Sequence, residues 1–249
     1  MMLYSRDPNV IVYRDIDSLS QAAAEMFTQI SDIALQEKER LLVTLSGGST
    51  PKRLFQLLSR PPYAPKLPWE RILFFWCDER LVPPDHPESN FGQAFELLFS
   101  RVKIPAENLH RIRGELAPAQ AAEEYRKTLE NFSDSDLKWP RFDLAFLGLG
   151  ADGHTASLFP GAINPDEMSS PVLEIMANYQ SRPAGRITLT PLALNSARNL
   201  LFMVSGKDKA HAVSETLKGV TNLEKWPAQR IKPLDGKLIW MLDAAAVSM

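Results

Sequence analysis

Short, almost unbroken apolar runs alternate along this chain with stretches whose apolar residues recur every three or four positions. Residues 9–14 (NVIVYR) read as a strand, and residues 18–37 follow with Leu19, Ala22, Ala23, Met26, Ile30 and Ile33 at helical spacing. RLLVTLS (40–46) predicts a second strand, and GGSTPKRLFQLL (47–58) opens a helix. RILFFWCDER (71–80) predicts a third strand, apolar until its charged end. Two helical stretches come next, SNFGQAFELLF (89–99) and AQAAEEYRKTLENF (119–132), and then a strand, FDLAFLG (142–148). RITLTP (186–191) is strand-like, with Thr190-Pro191 starting a helix. NLLFMVSG (199–206), KDKAHAVSETLKG (207–219) and LIWML (238–242) give a strand, a helix and a last strand.

Strands that read as continuous apolar runs are covered on both faces. Their alternation with helices implies βαβ units and a parallel sheet. The expectation is an α/β fold: a single Rossmann-like domain over residues 1–249, with a mostly parallel sheet and helices on both faces. No internal repeat or low-complexity segment interrupts it. The proline-rich RPPYAPKLPW (60–69) reads as a loop rather than a boundary, and the poorly periodic residues 159–185 as an excursion near the site.

Composition narrows the class. The 249 residues are 45% hydrophobic and 23% charged, with a net charge of -2, as expected of a globular protein with a full core. Both charge signs are spread along the chain, so no basic block points to nucleic acid. No apolar stretch approaches the roughly 20 residues of a membrane span. The opening MMLYSRDPNVIVYRD lacks the apolar core of a signal peptide. The single cysteine, Cys77, allows no internal disulfide and fits a reducing, cytoplasmic compartment.

In open α/β sheets, ligands bind beyond the carboxyl ends of the strands. Four such places carry unusual residues. In LSGGSTPKR (45–53), Gly47, Gly48 and Ser49 make a small-residue turn, Thr50 is suited to the N-cap and Pro51 to the first helical position. Free backbone N–H groups there would favour an anion. The plainer alternative is a well-capped strand-to-helix turn, and the spacing of a Walker A loop is absent. In CDERLVPPDHPESN (77–90), Asp78, Glu79 and Arg80 end an apolar strand. Charges commonly appear where a strand meets water, but a planar guanidinium at that place is also suited to phosphate. His86 lies in a polar loop and reads as solvated.

GLGADGHTASLFPG (148–161) is the third place. Gly148, Gly150 and Gly153 formally match a dinucleotide fingerprint. Pro160, Gly161 and Pro165 interrupt the long helix which that motif requires. His154 could be a structural turn residue. With Asp152 two positions away to orient its ring, it is the better candidate for a general base. No second His or Cys stands at ligand spacing, so no metal is expected. In VSGKDKAHAV (204–213), Lys207 and Lys209 begin a helix, where cations oppose the dipole unless an anion faces them. Either lysine could serve. His211, on the helix itself, reads as structural. A serine nucleophile is disfavoured, because no Gly-x-Ser-x-Gly elbow occurs.

SGGSTP, WCDERLVP with its trailing SNF, LGLGADGHTASLFPG, RITLT and SGKDKA occur in this order. As a set they resemble the 6-phosphogluconolactonase family, within the wider glucosamine-6-phosphate isomerase/deaminase-like superfamily. The resemblance implies hydrolysis of 6-phospho-D-glucono-1,5-lactone to 6-phosphogluconate, in the oxidative pentose phosphate pathway. It implies His154 as general base with Asp152 in support. The implied substrate contacts are Gly47, Gly48, Ser49, Thr50, Asp78, Arg80, Gly150 and Lys209, with Arg186 as a helper. The implied partner is a small phosphorylated sugar lactone, with no obligatory metal or nucleotide. Amino-sugar phosphate deaminases share the Gly-x-Asp-Gly-His turn but usually continue with Asn-Glu-Pro, where this chain has Ala156, Ser157, Leu158, Phe159 and Pro160. A non-catalytic sugar-phosphate sensor would not need the Asp/His pair.

Overall fold

The computed structural model describes residues 9–133, 137–179 and 182–248. In chain order its elements are β1 (Asn9–Tyr13), α1 (Ile16–Glu37), β2 (Leu41–Leu45), α2 (Thr50–Leu58), β3 (Ile72–Trp76), β4 (Asp78–Arg80), α3 (Asn90–Leu97) and β5 (Leu109–His110). They continue with α4 (Pro118–Glu130), β6 (Leu144–Leu147), β7 (Val172–Met176), β8 (Gly185–Leu189), α5 (Pro191–Leu194), β9 (Asn199–Val204), α6 (Ala210–Lys218) and β10 (Lys237–Asp243). Seven strands form one sheet in the order β1-β10-β9-β6-β2-β3-β5. Every pairing in it is parallel.

Every residue of β3 and β6 is buried, because helices cover both faces of the sheet centre. Phe27 on α1 inserts edge-on against Phe74 of β3 and Phe146 of β6, at centroid distances of 6.3 and 6.0 Å. Asp15 caps α1 reciprocally: its carboxylate accepts from Ser18 N–H, and the Ser18 hydroxyl accepts from Asp15 N–H.

The strand order places a topological switch at the sheet centre. From β2 the chain passes to its neighbour β3 on one side, and from β6 it returns to its neighbour β9 on the other. The crevice between the β2 and β6 ends is where such sheets bind ligands. The Ser46 hydroxyl, just after β2, donates to the Phe146 carbonyl at 2.9 Å and ties the two ends together.

Several expectations need correction. Residues 71–80 are not one strand. Cys77 N–H donates to Leu45 O in the large sheet, while Leu189 N–H donates to Cys77 O, so the chain changes sheets at this residue. Beyond it β4 joins a small antiparallel sheet, in the order β4-β8-β7. Periodicity cannot show the change, since Cys77 is itself buried. The irregular stretch 159–185 supplies β7, and the expected helix 207–219 begins as a 3-10 turn over Lys207–Lys209. Thr50 is not the N-cap of α2. Ser49 holds that position, has helical dihedrals and makes no side-chain cap bond.

Candidate active site

The loops after β2 and β6, together with the small sheet, enclose one cavity. Of the expected site residues, Gly47, Gly48, Ser49, Thr50, Asp78, Arg80, Gly150, His154, Arg186 and Lys209 all line it. Asp152 stands behind His154 rather than in the wall. Lys207 is exposed and does not line the cavity, so the structure favours Lys209 of the two lysines. Arg182, Tyr179, Asn90 and Thr155 also line it and were not anticipated. Arg182 and Tyr179 come from the stretch that periodicity could not interpret. Asn90 belongs to the Ser-Asn-Phe segment that trails the WCDERLVP motif.

The β6 loop folds back on itself. Gly150 N–H donates to His154 O at 2.8 Å, and Gly153 N–H to Gly150 O at 3.0 Å. This brings His154 Nδ1 to 2.6 Å from Asp152 Oδ1. An ionised carboxylate only accepts, so the contact selects the tautomer of the neutral imidazole in which Nδ1 carries the hydrogen and Nε2 the lone pair. Burial pushes the Asp152 carboxyl upward, but its bonds and charge interaction with His154 outweigh this and hold it below the ordinary carboxylate range. The pair forms only because Gly150 has no side chain: a Cβ there would lie 2.0 Å from His154 Nδ1 and 2.5 Å from Asp152 Oδ1. Phe159 stacks on the imidazole at 4.7 Å and Tyr179 meets it edge-on at 4.7 Å, which fixes the ring plane.

The small sheet supplies charge. Arg80 and Arg186 are 8% and 2% exposed, although both are cations. Arg80 Nη1 donates to Glu88 O at 2.6 Å, and Glu88 Oε2 also lies 3.7 Å from Arg182 Nε. Among the described residues, Nε of Arg80 and both Nε and Nη2 of Arg186 are buried without an acceptor. Burial presses the Arg186 guanidinium downward; Asp78 opposes that, while Arg80 and Arg182 add to it. Buried donors left without partners are costly. Both arginines line a cavity also lined by Lys209 and the first residues of α2, a set of cations and N–H groups suited to a multiply charged oxyanion.

Asp78 lines the cavity, but its carboxylate is already engaged. It accepts from Ser157 Oγ at 2.6 Å and Asn90 Nδ2 at 3.2 Å. Glu79 is buried and accepts from the N–H groups of Arg80, Asn90 and Phe91 and from the Ser89 hydroxyl. Burial pushes its carboxyl up to about 7 against those bonds. Both acids hold the walls in place. Cys77 is fully buried and burial pushes its thiol up to about 12, so it is inert.

The model of the family described as "Glucosamine-6-phosphate isomerases/6-phosphogluconolactonase" matches residues 14–240. A 6-phosphogluconolactonase from Haemophilus influenzae is 37% identical over 230 residues, covering 92% of this chain and 96% of its own length. The crystal structure of a 6-phosphogluconolactonase from Thermotoga maritima superposes with a TM-score of 0.80 at 32% identity, over 95% of this chain and all of that one. A monomeric glucosamine-6-phosphate deaminase superposes with a TM-score of 0.81 at 22% identity, over 96% of this chain and 98% of that one, which shows a shared fold alone.

Proposed function

The chain belongs to the glucosamine-6-phosphate isomerase/6-phosphogluconolactonase family and is an enzyme of the 6-phosphogluconolactonase type; on that premise we propose how its residues divide the work. Its reaction is hydrolysis of 6-phospho-D-glucono-1,5-lactone to 6-phosphogluconate, in the pentose phosphate pathway. The carrying observation is that His154, paired with Asp152, lines the same cavity as the buried cations Arg80 and Arg186.

His154 Nε2 takes a proton from water as the water oxygen attacks the lactone carbonyl carbon. The carbonyl electrons move onto oxygen, and the resulting oxyanion is stabilised by nearby N–H groups or cations. As the oxyanion collapses, the bond from carbon to ring oxygen breaks and His154 returns its proton to that oxygen. Water is consumed and the free acid then ionises. Asp152 keeps the imidazole in the tautomer and orientation this needs. The α2 turn from Gly47 to Thr50, with Arg80, Arg186 and Lys209, holds the phosphate and so sets the lactone carbon at the base. Gly150 admits the pair, and Asp78 keeps the wall in register. A cytoplasmic setting and a single working domain over residues 1–249 complete this reading; the lone, buried Cys77 supports the first and the family match over residues 14–240 the second.

Where deaminases usually carry a glutamate, this chain has Phe159 two residues beyond Ser157, and Phe159 packs on the base. That favours hydrolysis over isomerisation. The test is the opening rate of freshly made 6-phosphogluconolactone, corrected for spontaneous hydrolysis, with and without His154→Ala. Opening no faster than the spontaneous rate would sink the proposal.

A further inference from the structure

The residues from Asn222 to Ile231, which carry no motif, contact both the base loop and α6, and Trp226 touches each of them. Trp226 is 5% exposed and does not line the cavity. It abuts Gly153, between Asp152 and His154. Gly153 has a φ of +84°, and a Cβ there would lie 2.5 Å from Trp226 Cε3. Ala228 N–H donates to Gly153 O at 3.0 Å, and Gly161 N–H to Glu224 O at 2.9 Å, so the segment is bonded to the base loop at its middle and at its far end. The indole also meets His211 at 5.4 Å with the two rings nearly perpendicular, and Lys225 Nζ lies 5.2 Å from its ring centre. His211 is two residues beyond Lys209, in the first turn of α6.

The segment is itself held rigid. Gln229 Nε2 donates to Glu215 O in α6 at 3.0 Å, while its Oε1 accepts from Asn222 N–H at 2.7 Å. Arg230 Nη1 and Glu167 Oε1 form an ion pair of 2.8 Å, with side chains only 5% and 6% exposed. The pair fastens the segment to the turn at Pro165–Met168. Losing one member of a buried pair is strongly destabilising, so this anchor resists displacement.

We propose that Trp226 is a positioning residue that sets the spacing between the base His154 and the phosphate ligand Lys209, and thereby selects lactones that carry a phosphate at the far end of the sugar. The inference rests on the phosphate-site reading above. The indole is a rigid plate in contact with the base loop at Gly153 and with the first turn of α6 at His211. A rigid body that touches both constrains how far apart they sit. A substrate held at two ends reacts well only when that spacing matches its length, and displacement by about 1 Å can cost about 100-fold. A lactone without phosphate is held at one end and does not sense the spacing.

The experiment compares kcat/KM for 6-phosphogluconolactone with that for unphosphorylated glucono-1,5-lactone, in the wild type, Trp226→Leu and Trp226→Phe. The expected result is a fall in the phosphate advantage on the order of tenfold or more in Trp226→Leu and a smaller fall in Trp226→Phe. Parallel losses on both substrates, as a purely structural role would give, overturn the inference. So does an advantage that survives in both variants, which leaves the phosphate-site reading intact. A wild type with no phosphate advantage overturns that reading and the inference together. If Trp226→Leu does not fold, Trp226→Phe decides by the same ratio, since it keeps an aromatic ring in the slot.

Discussion

Arg80 and Arg186 are direct partners in the antiparallel register of β4 and β8. Like charges placed opposite one another across a sheet are destabilising, typically by about 0.2–1 kcal/mol. Burial makes the arrangement costlier, and on the proposed reading a dianion bound between the two would remove the cost. Inorganic phosphate should therefore raise the unfolding temperature of the wild type and raise that of Arg186→Met much less. KM for the phosphorylated lactone should rise by about 10-fold to 100-fold in the variant, since hydrogen bonds to charged groups contribute about 1.5–3 kcal/mol. An unchanged KM would remove Arg186 from the site.

His154→Ala should lower kcat by about 10²–10⁴-fold with little change in KM, because general acid–base catalysis acts in the transition state. Asp152→Asn should also lower kcat, by letting the imidazole take the wrong tautomer. Steady-state kinetics on both variants test this, and a change confined to KM would contradict it.

Gly150→Ala separates the base from the anion site. The added methyl collides with both members of the Asp152–His154 pair, the nearer contact being 2.0 Å. The loss of kcat should approach that of His154→Ala, while the phosphate-dependent rise in unfolding temperature persists. Loss of that rise would mean that the substitution damages the whole cavity.

His110, far from the site, should make the fold acid-sensitive. It stacks on Phe75 at 4.7 Å and packs against Phe132 at 4.5 Å, and its Nε2 is buried without a partner among the described residues. Burial, with some help from Arg40, presses its pKa down from 6.5 to about 4. Between those values the unfolded chain binds the proton that the folded one refuses. Its contribution is thus present above pH 6.5 and is lost as pH falls toward about 4. Urea unfolding at pH 7 and pH 4.5 should show a smaller acid loss in His110→Phe than in the wild type. Equal losses would assign the sensitivity to other groups.

Much of the site was legible because its signals are local. The glycines after β2 and β6, the Asp152–His154 spacing and the prolines that interrupt a long helix are all read within a few residues. Arg80 was legible as a cation at a strand end. Its opposition to Arg186 was not, because it arises only when the chain leaves the large sheet at Cys77 and β4 pairs with β8. Tyr179 and Arg182 escaped because they lie outside any periodic element, and Trp226 because its partners Gly153 and His211 are remote in sequence.

The sequence by itself determined the α/β class, most of the strands of the parallel sheet and the pair that would do acid–base chemistry. Hydrophobic period, glycine freedom and proline interruption act over a few residues and leave their mark in order along the chain. Tertiary structure alone decided the second sheet, the opposed buried arginines, which of Lys207 and Lys209 lines the cavity, and the contacts of Trp226 with Gly153 and His211. Those depend on register and on contacts between segments tens of residues apart, where a side chain's role comes from what is packed against it and not from its neighbours in the chain.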